Sequence, residues 1–116
     1  MKTNNCIFCK IQSNPETTNF LYQDDRIIAI QDIHPIAPVH ILVIPRDHIV
    51  SMNEIELQDK ELLGHMLYIA KQLAALSGVA NSGYRLIFNT GPDSGQTVQH
   101  LHLHIIGGRE LPFHFK

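Results

Sequence analysis

Residues 98–106 read Val-Gln-His-Leu-His-Leu-His-Ile-Ile. Strict alternation over nine positions is the pattern of a β-strand, in which successive side chains point to opposite faces. His100, His102 and His104 would then share one face, spaced about 7 Å apart, while Leu101, Leu103 and Ile105 offer the other face to a core. Three imidazoles in a row are costly unless each finds a hydrogen-bond partner or a ligand. A solvated sheet face is the plainest reading. A zinc site is the second, although the outer pair, about 13 Å apart at Cα, strains any single ion held by all three. In the third, one imidazole attacks while its neighbours orient it and bind the charged group under attack.

The segment before the histidines favours the third reading. Residues 91–97, Gly-Pro-Asp-Ser-Gly-Gln-Thr, are small and turn-forming. Gly91 and Gly95 permit conformations in which successive amides point one way, and Thr97 adds a hydroxyl; such concavities bind phosphate. The segment lacks the Gly-Lys-Ser/Thr ending of a P-loop and the strand–turn–helix setting of a serine nucleophile.

The rest of the chain supplies a scaffold of matching size. Residues 6–11 read as a short helix ending at the turn-like Ser13-Asn14-Pro15. Residues 20–22 and 27–30 flank Asp24-Asp25 as a hairpin, and residues 40–44 form a third strand closed by Pro45. Over residues 58–77 the period changes: Leu62, Met66, Ile69, Leu73 and Leu76 step by three and four, with Gly78 as a stop. Residues 84–88 are a fourth strand and 98–106 a fifth. The order predicts a single α+β domain spanning residues 1–116, with a mostly antiparallel five-stranded sheet packed against one long helix plus a short N-terminal helix.

Charge and length narrow the function. Nine Lys+Arg against eleven Asp+Glu leave no electrostatic footprint for nucleic acid. No apolar run approaches the roughly 20 residues of a membrane span, and the polar start at Met1 does not read as a signal peptide. Two cysteines make no disulfide framework, so the chain is expected in the cytoplasm, with its thiols reduced.

With these residues in place, the chain resembles the histidine triad (HIT) family. His100-Leu-His-Leu-His-Ile-Ile106 matches its signature at every position. Asp32-Ile33-x-Pro35-x-Ala37-Pro38-x-His40-x-Leu42-x-Ile44-Pro45, Asn89-x-Gly91, Gly95-Gln96-Thr97 and Gly107-Gly108-Arg109 resemble its nucleotide-binding, Hint-like branch. The resemblance implies a homodimer that binds purine nucleoside monophosphates and hydrolyses nucleoside phosphoramidates; attack by a neutral histidine on phosphorus requires no divalent metal. It assigns His102 as the nucleophile, His104 and the backbone near Thr97 to the phosphate, His100 to orienting the catalytic ring, and His40 to completing the cluster. Asp32 would bond the ribose hydroxyls with Ile33 beside it. Ile7, Phe8 and Ile11 would line the base pocket, and Asn89, Gly95 and Gln96 would contact phosphate and leaving group. A dinucleoside polyphosphate hydrolase and a nucleotide- or zinc-binding regulatory module with incidental catalysis are the alternatives.

Cys6-x-x-Cys9 is a single pair, which fits buried thiols, a redox motif or half a zinc site. A thioredoxin-type redox motif would need a preceding strand, and only five residues precede it. Some relatives in the resembled family carry a zinc at such a pair. The expectation here is a closed structural site of Cys6, Cys9, His48 and His100 that leaves His102 free. His65 is read as a surface position on the long helix, and His34 and His114 as loop and tail. Phe113 sits where relatives place another aromatic, in a tail that runs to Lys116.

Overall fold

The structure is a computed structural model, and it describes residues 5–112; Phe113, His114 and Lys116 lie outside them. Five strands form one sheet: β1 (Tyr22–Gln23), β2 (Ile27–Gln31), β3 (Val39–Pro45), β4 (Tyr84–Phe88) and β5 (Leu103–Gly107). Their spatial order is β1-β2-β3-β5-β4, and every neighbouring pair is antiparallel. Among the described residues there are two α-helices, α1 (Ile7–Gln12) and α2 (Lys60–Leu76), and four short 3-10 turns.

The helices cover opposite faces. Leu62, Met66, Ile69, Ala70, Leu73 and Ala74 of α2 meet Ile27, Ala29, Ile41, Val43, Leu103 and Ile105 of the sheet. Met66 is fully buried there, and its truncation to Ala would cost about 2–5 kcal/mol. On the other face, Phe8 and Cys9 of α1, with Cys6 just before it, pack on Ile28, Ile30, Leu42 and Ile44. That double coverage explains why β2 and β3 read as nearly continuous apolar runs rather than alternating ones.

α1 is only six residues long and needs outside support. Cys6 caps it, its Sγ accepting from the Cys9 N–H at 3.4 Å. Gln12 Nε2 donates to the Arg46 carbonyl at 2.7 Å and docks the helix against the end of β3.

Several expectations about the elements need correction, among them the burial of Leu76, which is exposed. The fifth strand was expected over residues 98–106, but regular pairing begins only at Leu103. The Leu101 N–H goes instead to the Ile49 carbonyl at 2.6 Å, in the chain that leaves the sheet after Pro45. The long helix starts at Lys60, after a separate 3-10 turn over Leu57–Asp59. His65 is half-buried rather than a free surface residue: its Nε2 stands 2.6 Å from Asp24 Oδ2. Asp24 also accepts from the Tyr22 hydroxyl and from the N–H groups of Arg26 and Ile27, tying the β1–β2 turn to α2.

Candidate active site

The departure of residues 98–102 from the ladder gives the histidines different surroundings. His100 is completely buried and His102 nearly so. His100 Nε2 donates to the Pro45 carbonyl at 2.8 Å, so its Nδ1 carries the lone pair. That nitrogen lies 3.1 Å from Cys6 Sγ and 3.7 Å from Cys9 Sγ, and Cys9 Sγ lies 3.5 Å from His48 Nδ1. The four ligand atoms all fall within 4.8 Å of one another. A tetrahedral zinc with bonds of about 2.0–2.3 Å sets ligand-to-ligand edges of roughly 3.3–3.8 Å. The Cys6, Cys9, His48 and His100 set therefore fits zinc in donor type and in spacing. The Pro45 carbonyl gives His100 the outer hydrogen bond that zinc-binding histidines usually make. Burial holds His100 down to about 4, which keeps the ring in the neutral form that binds zinc, and pushes the Cys6 thiol up, a cost that a cation beside the thiolate would offset.

His102 is wired differently. Its Nδ1–H donates to the His100 carbonyl at 2.7 Å, which leaves Nε2 with the free lone pair. Burial lowers its basicity and favours the neutral ring. The edge-to-face contact with Phe8, 5.1 Å between centroids, steadies the ring. The resemblance gave His100 the task of orienting the catalytic ring; here its backbone carbonyl does the orienting, while its own ring turns to the cysteines.

β3 and β5 set Leu42 opposite His104, which makes His40 and His104 diagonal neighbours on one face. His40 Nδ1 accepts from the Ile36 N–H at 3.2 Å, so the His40 proton sits on Nε2. It points to His104 Nδ1 at 3.0 Å, with Asp32 Oδ2 at 3.3 Å as a second acceptor. His104 must then carry its proton on Nε2. Burial, with His102 and His40 alongside, pushes His104 down to about 4. Asp32, His40 and His104 also lie within metal-binding distance of one another. A cation on His40 Nε2 would force the ring proton onto Nδ1, against the Ile36 N–H, so this trio suits a proton wire better than an ion.

A cavity of about 330 Å³ opens beside these rings. It brings together every residue expected at a nucleotide: Ile7, Phe8 and Ile11 from α1, Asp32 and Ile33 after β2, and Asn89, Gly95, Gln96 and Thr97 from the loop, with His102 and His104. His40 and His100 stand behind this wall. The sequence reading missed Ile30, Gln31, His34, Leu42 and Val98, which also line it. The even positions of β2 and β3 were the available signal, since Ile30 and Leu42 share the face that α1 covers. Asp32 Oδ1 accepts from the His34 N–H at 2.8 Å, leaving the carboxylate at the cavity rim.

The loop departs from the expected amide cradle. Gly91 and Gly95 have φ of +82° and +88°, in the left-handed region that favours glycine. Their N–H groups turn inward, to Gln96 Oε1 and the Pro92 carbonyl. Gln96 Nε2 donates to the Val50 and Val98 carbonyls, and Asn89 Nδ2 to the Ser94 carbonyl. Both amide side chains brace the loop. Among the described residues, the Thr97 and Val98 N–H groups have no protein acceptor, and both residues line the cavity.

The family profile described as HIT domain matches residues 14–111. The chain is 43% identical over 105 residues to a purine nucleoside phosphoramidase of Escherichia coli, covering 90% of this chain and 88% of that one. A HIT family hydrolase from Clostridium thermocellum superposes with a TM-score of 0.93 at 42% identity, over 99% of this chain and all of the other. A zinc-bound histidine triad family protein from Mycobacterium smegmatis superposes with a TM-score of 0.76 at 28% identity, over 90% and 76% of the two chains.

Proposed function

The chain belongs to the HIT domain family, and from that premise we propose that it is a purine nucleoside phosphoramidase working through a nucleotidyl-histidine on His102. A hydrolase of small nucleotides is the coarser statement that its relatives support. The observation that carries the finer one is the wiring of two adjacent rings. His102 offers a bare Nε2 and His104 an Nε2–H at the same cavity.

The apolar side chains of α1 would hold the base, and Asp32 the ribose hydroxyls. The phosphoryl oxygens would meet His104 Nε2–H and the Thr97 and Val98 N–H groups, donors fixed before substrate arrives. In the first step His102 Nε2 forms a bond to phosphorus while the phosphorus–nitrogen bond breaks, and the departing amine takes up a proton from solvent. In the second, water adds to phosphorus and gives a proton back to solvent while the bond to His102 breaks, releasing the nucleoside monophosphate. Two in-line displacements predict retention at phosphorus. The His100 carbonyl stabilises the charge that His102 acquires on attack.

Cys6, Cys9, His48 and His100 would hold a structural Zn²⁺ that clamps the N-terminal segment to the sheet. No catalytic step requires it. The same reading carries a homodimer, for which the exposed edge of β4 is available, and a cytoplasmic location. Among the described residues no helix is long and apolar enough to cross a membrane.

The decisive experiment is intact mass after rapid quenching with adenosine 5′-monophosphoramidate. One added nucleotidyl group, absent from His102→Ala, supports the reading, and light scattering of the same sample reports the oligomer.

A further inference from the structure

The Gly107-Gly108-Arg109 segment lies outside the cavity and has no part in the scheme above. It nevertheless touches the loop that controls His40. Gly108 has φ of +93°, and a Cβ there would stand 3.0 Å from Pro38. Arg109 Nε donates to the Ile36 carbonyl at 3.0 Å, and its Nη1 to the Glu110 carbonyl at 2.9 Å. The Ile36 side chain is itself exposed and lies outside both core clusters. One residue thus has its carbonyl held by Arg109 and its N–H given to His40 Nδ1.

We propose that Arg109 is a positioning residue. With Gly108 it docks the loop at residues 35–38 so that the Ile36 peptide locks the tautomer of His40, and through it that of His104. The geometry stands by itself, and its catalytic consequence rests on the phosphoramidase reading. With the Ile36 N–H in place, His40 has one arrangement: lone pair on Nδ1, proton on Nε2, donation to His104 Nδ1. His104 then keeps a proton on Nε2, facing the cavity. Were the peptide to drift, only the Asp32 carboxylate would still favour the Nε2–H form, and in the fraction of molecules whose proton moves to Nδ1, His40 Nε2 would become an acceptor. His104 would place its proton on Nδ1 and present a bare Nε2 to the cavity. A donor aimed at a phosphoryl oxygen would become a lone pair that repels it.

The test is ¹⁵N NMR of the histidine rings in the full chain, with steady-state kinetics on adenosine 5′-monophosphoramidate. Wild type, Arg109→Ala, Arg109→Lys and Gly108→Ala are compared. The proposal expects a single Nε2–H tautomer for His40 and His104 in wild type, and mixed tautomers in Arg109→Ala and Gly108→Ala. In those two, kcat falls about tenfold, the scale of one hydrogen bond lost in the transition state, with KM nearly unchanged. Arg109→Lys, which retains a donor, falls between them and wild type. Unchanged tautomers in both variants overturn the proposal, as do mixed tautomers with undiminished kcat. A wild-type chain that shows the tautomer lock but does not hydrolyse the phosphoramidate overturns the substrate reading and leaves the lock in place.

Discussion

His102 Nδ1 stands 2.7 Å from the carbonyl oxygen of His100, two residues earlier in the chain. His100 meanwhile gives its ring to Cys6 and Cys9. One residue therefore joins the cysteine cluster, through its side chain, to the nucleophile, through its backbone. Disturbance of the cluster should be felt at His102.

Elemental analysis of the wild type should give one zinc per chain, and Cys9→Ser should lose it. The variant's melting midpoint should fall by several degrees, since about 1 kcal/mol moves a domain of this size by roughly 4–8 °C. Its kcat should drop as the His100 carbonyl loosens. Wild type prepared with zinc that contains none would sink the metal assignment.

His104 makes stability depend on pH. Its folded pKa lies near 4, below the 6.5 of the free side chain. As pH falls through that window the unfolded chain binds the proton first, so the contribution is complete above about 6.5 and is lost towards about 4. Urea midpoints should fall less between about pH 7.5 and about pH 5 in His104→Gln than in wild type. Equal losses in the two would show that His104 takes up its proton normally.

Asp24 accepts from Tyr22, His65 and two backbone N–H groups. Burial alone would raise its pKa, but these donors hold the carboxyl far below the usual range. The pair with His65 is the direct side-chain hydrogen bond between α2 and the β1–β2 turn. Asp24→Asn should destabilise by about 1–2 kcal/mol near neutral pH. The difference from wild type should shrink on acidification, because a depressed carboxyl loses its contribution as pH falls. Chemical denaturation checks both statements.

Phe8 is buried, in edge-to-face contact with both His100 and His102. Phe8→Ala should destabilise by about 3–5 kcal/mol. It should also raise KM by opening the cavity wall and lower kcat by freeing the His102 ring. Thermal melts and steady-state kinetics separate the effects, and an unchanged KM would remove Phe8 from the proposed base pocket.

Much of the scaffold was legible because period maps directly onto burial. The three-and-four spacing of Leu62, Met66, Ile69, Leu73 and Leu76 gave α2, although Leu76, at its C-terminal end, is exposed; the apolar runs around Ile28 and Leu42 gave the central strands. The Cys6, Cys9, His48 and His100 grouping was also reachable, since His100 is the outermost histidine and His48 follows β3. The alternation at 98–106 misled at its start, because side-chain facing does not reveal where a backbone N–H finds its acceptor. Leu101 pairs with Ile49, outside the sheet. His65 was misplaced because its partner, Asp24, is 41 residues away. The inward turn of the Gly91 and Gly95 amides was hidden too, since it depends on where the Gln96 side chain settles.

The most direct test is rapid-quench mass spectrometry of the intact chain during turnover of adenosine 5′-monophosphoramidate. The account predicts a transient gain of one nucleotidyl group, acid-labile, mapped to His102 and lost in His102→Ala together with turnover. Full turnover by His102→Ala, or an adduct on another residue, would contradict it.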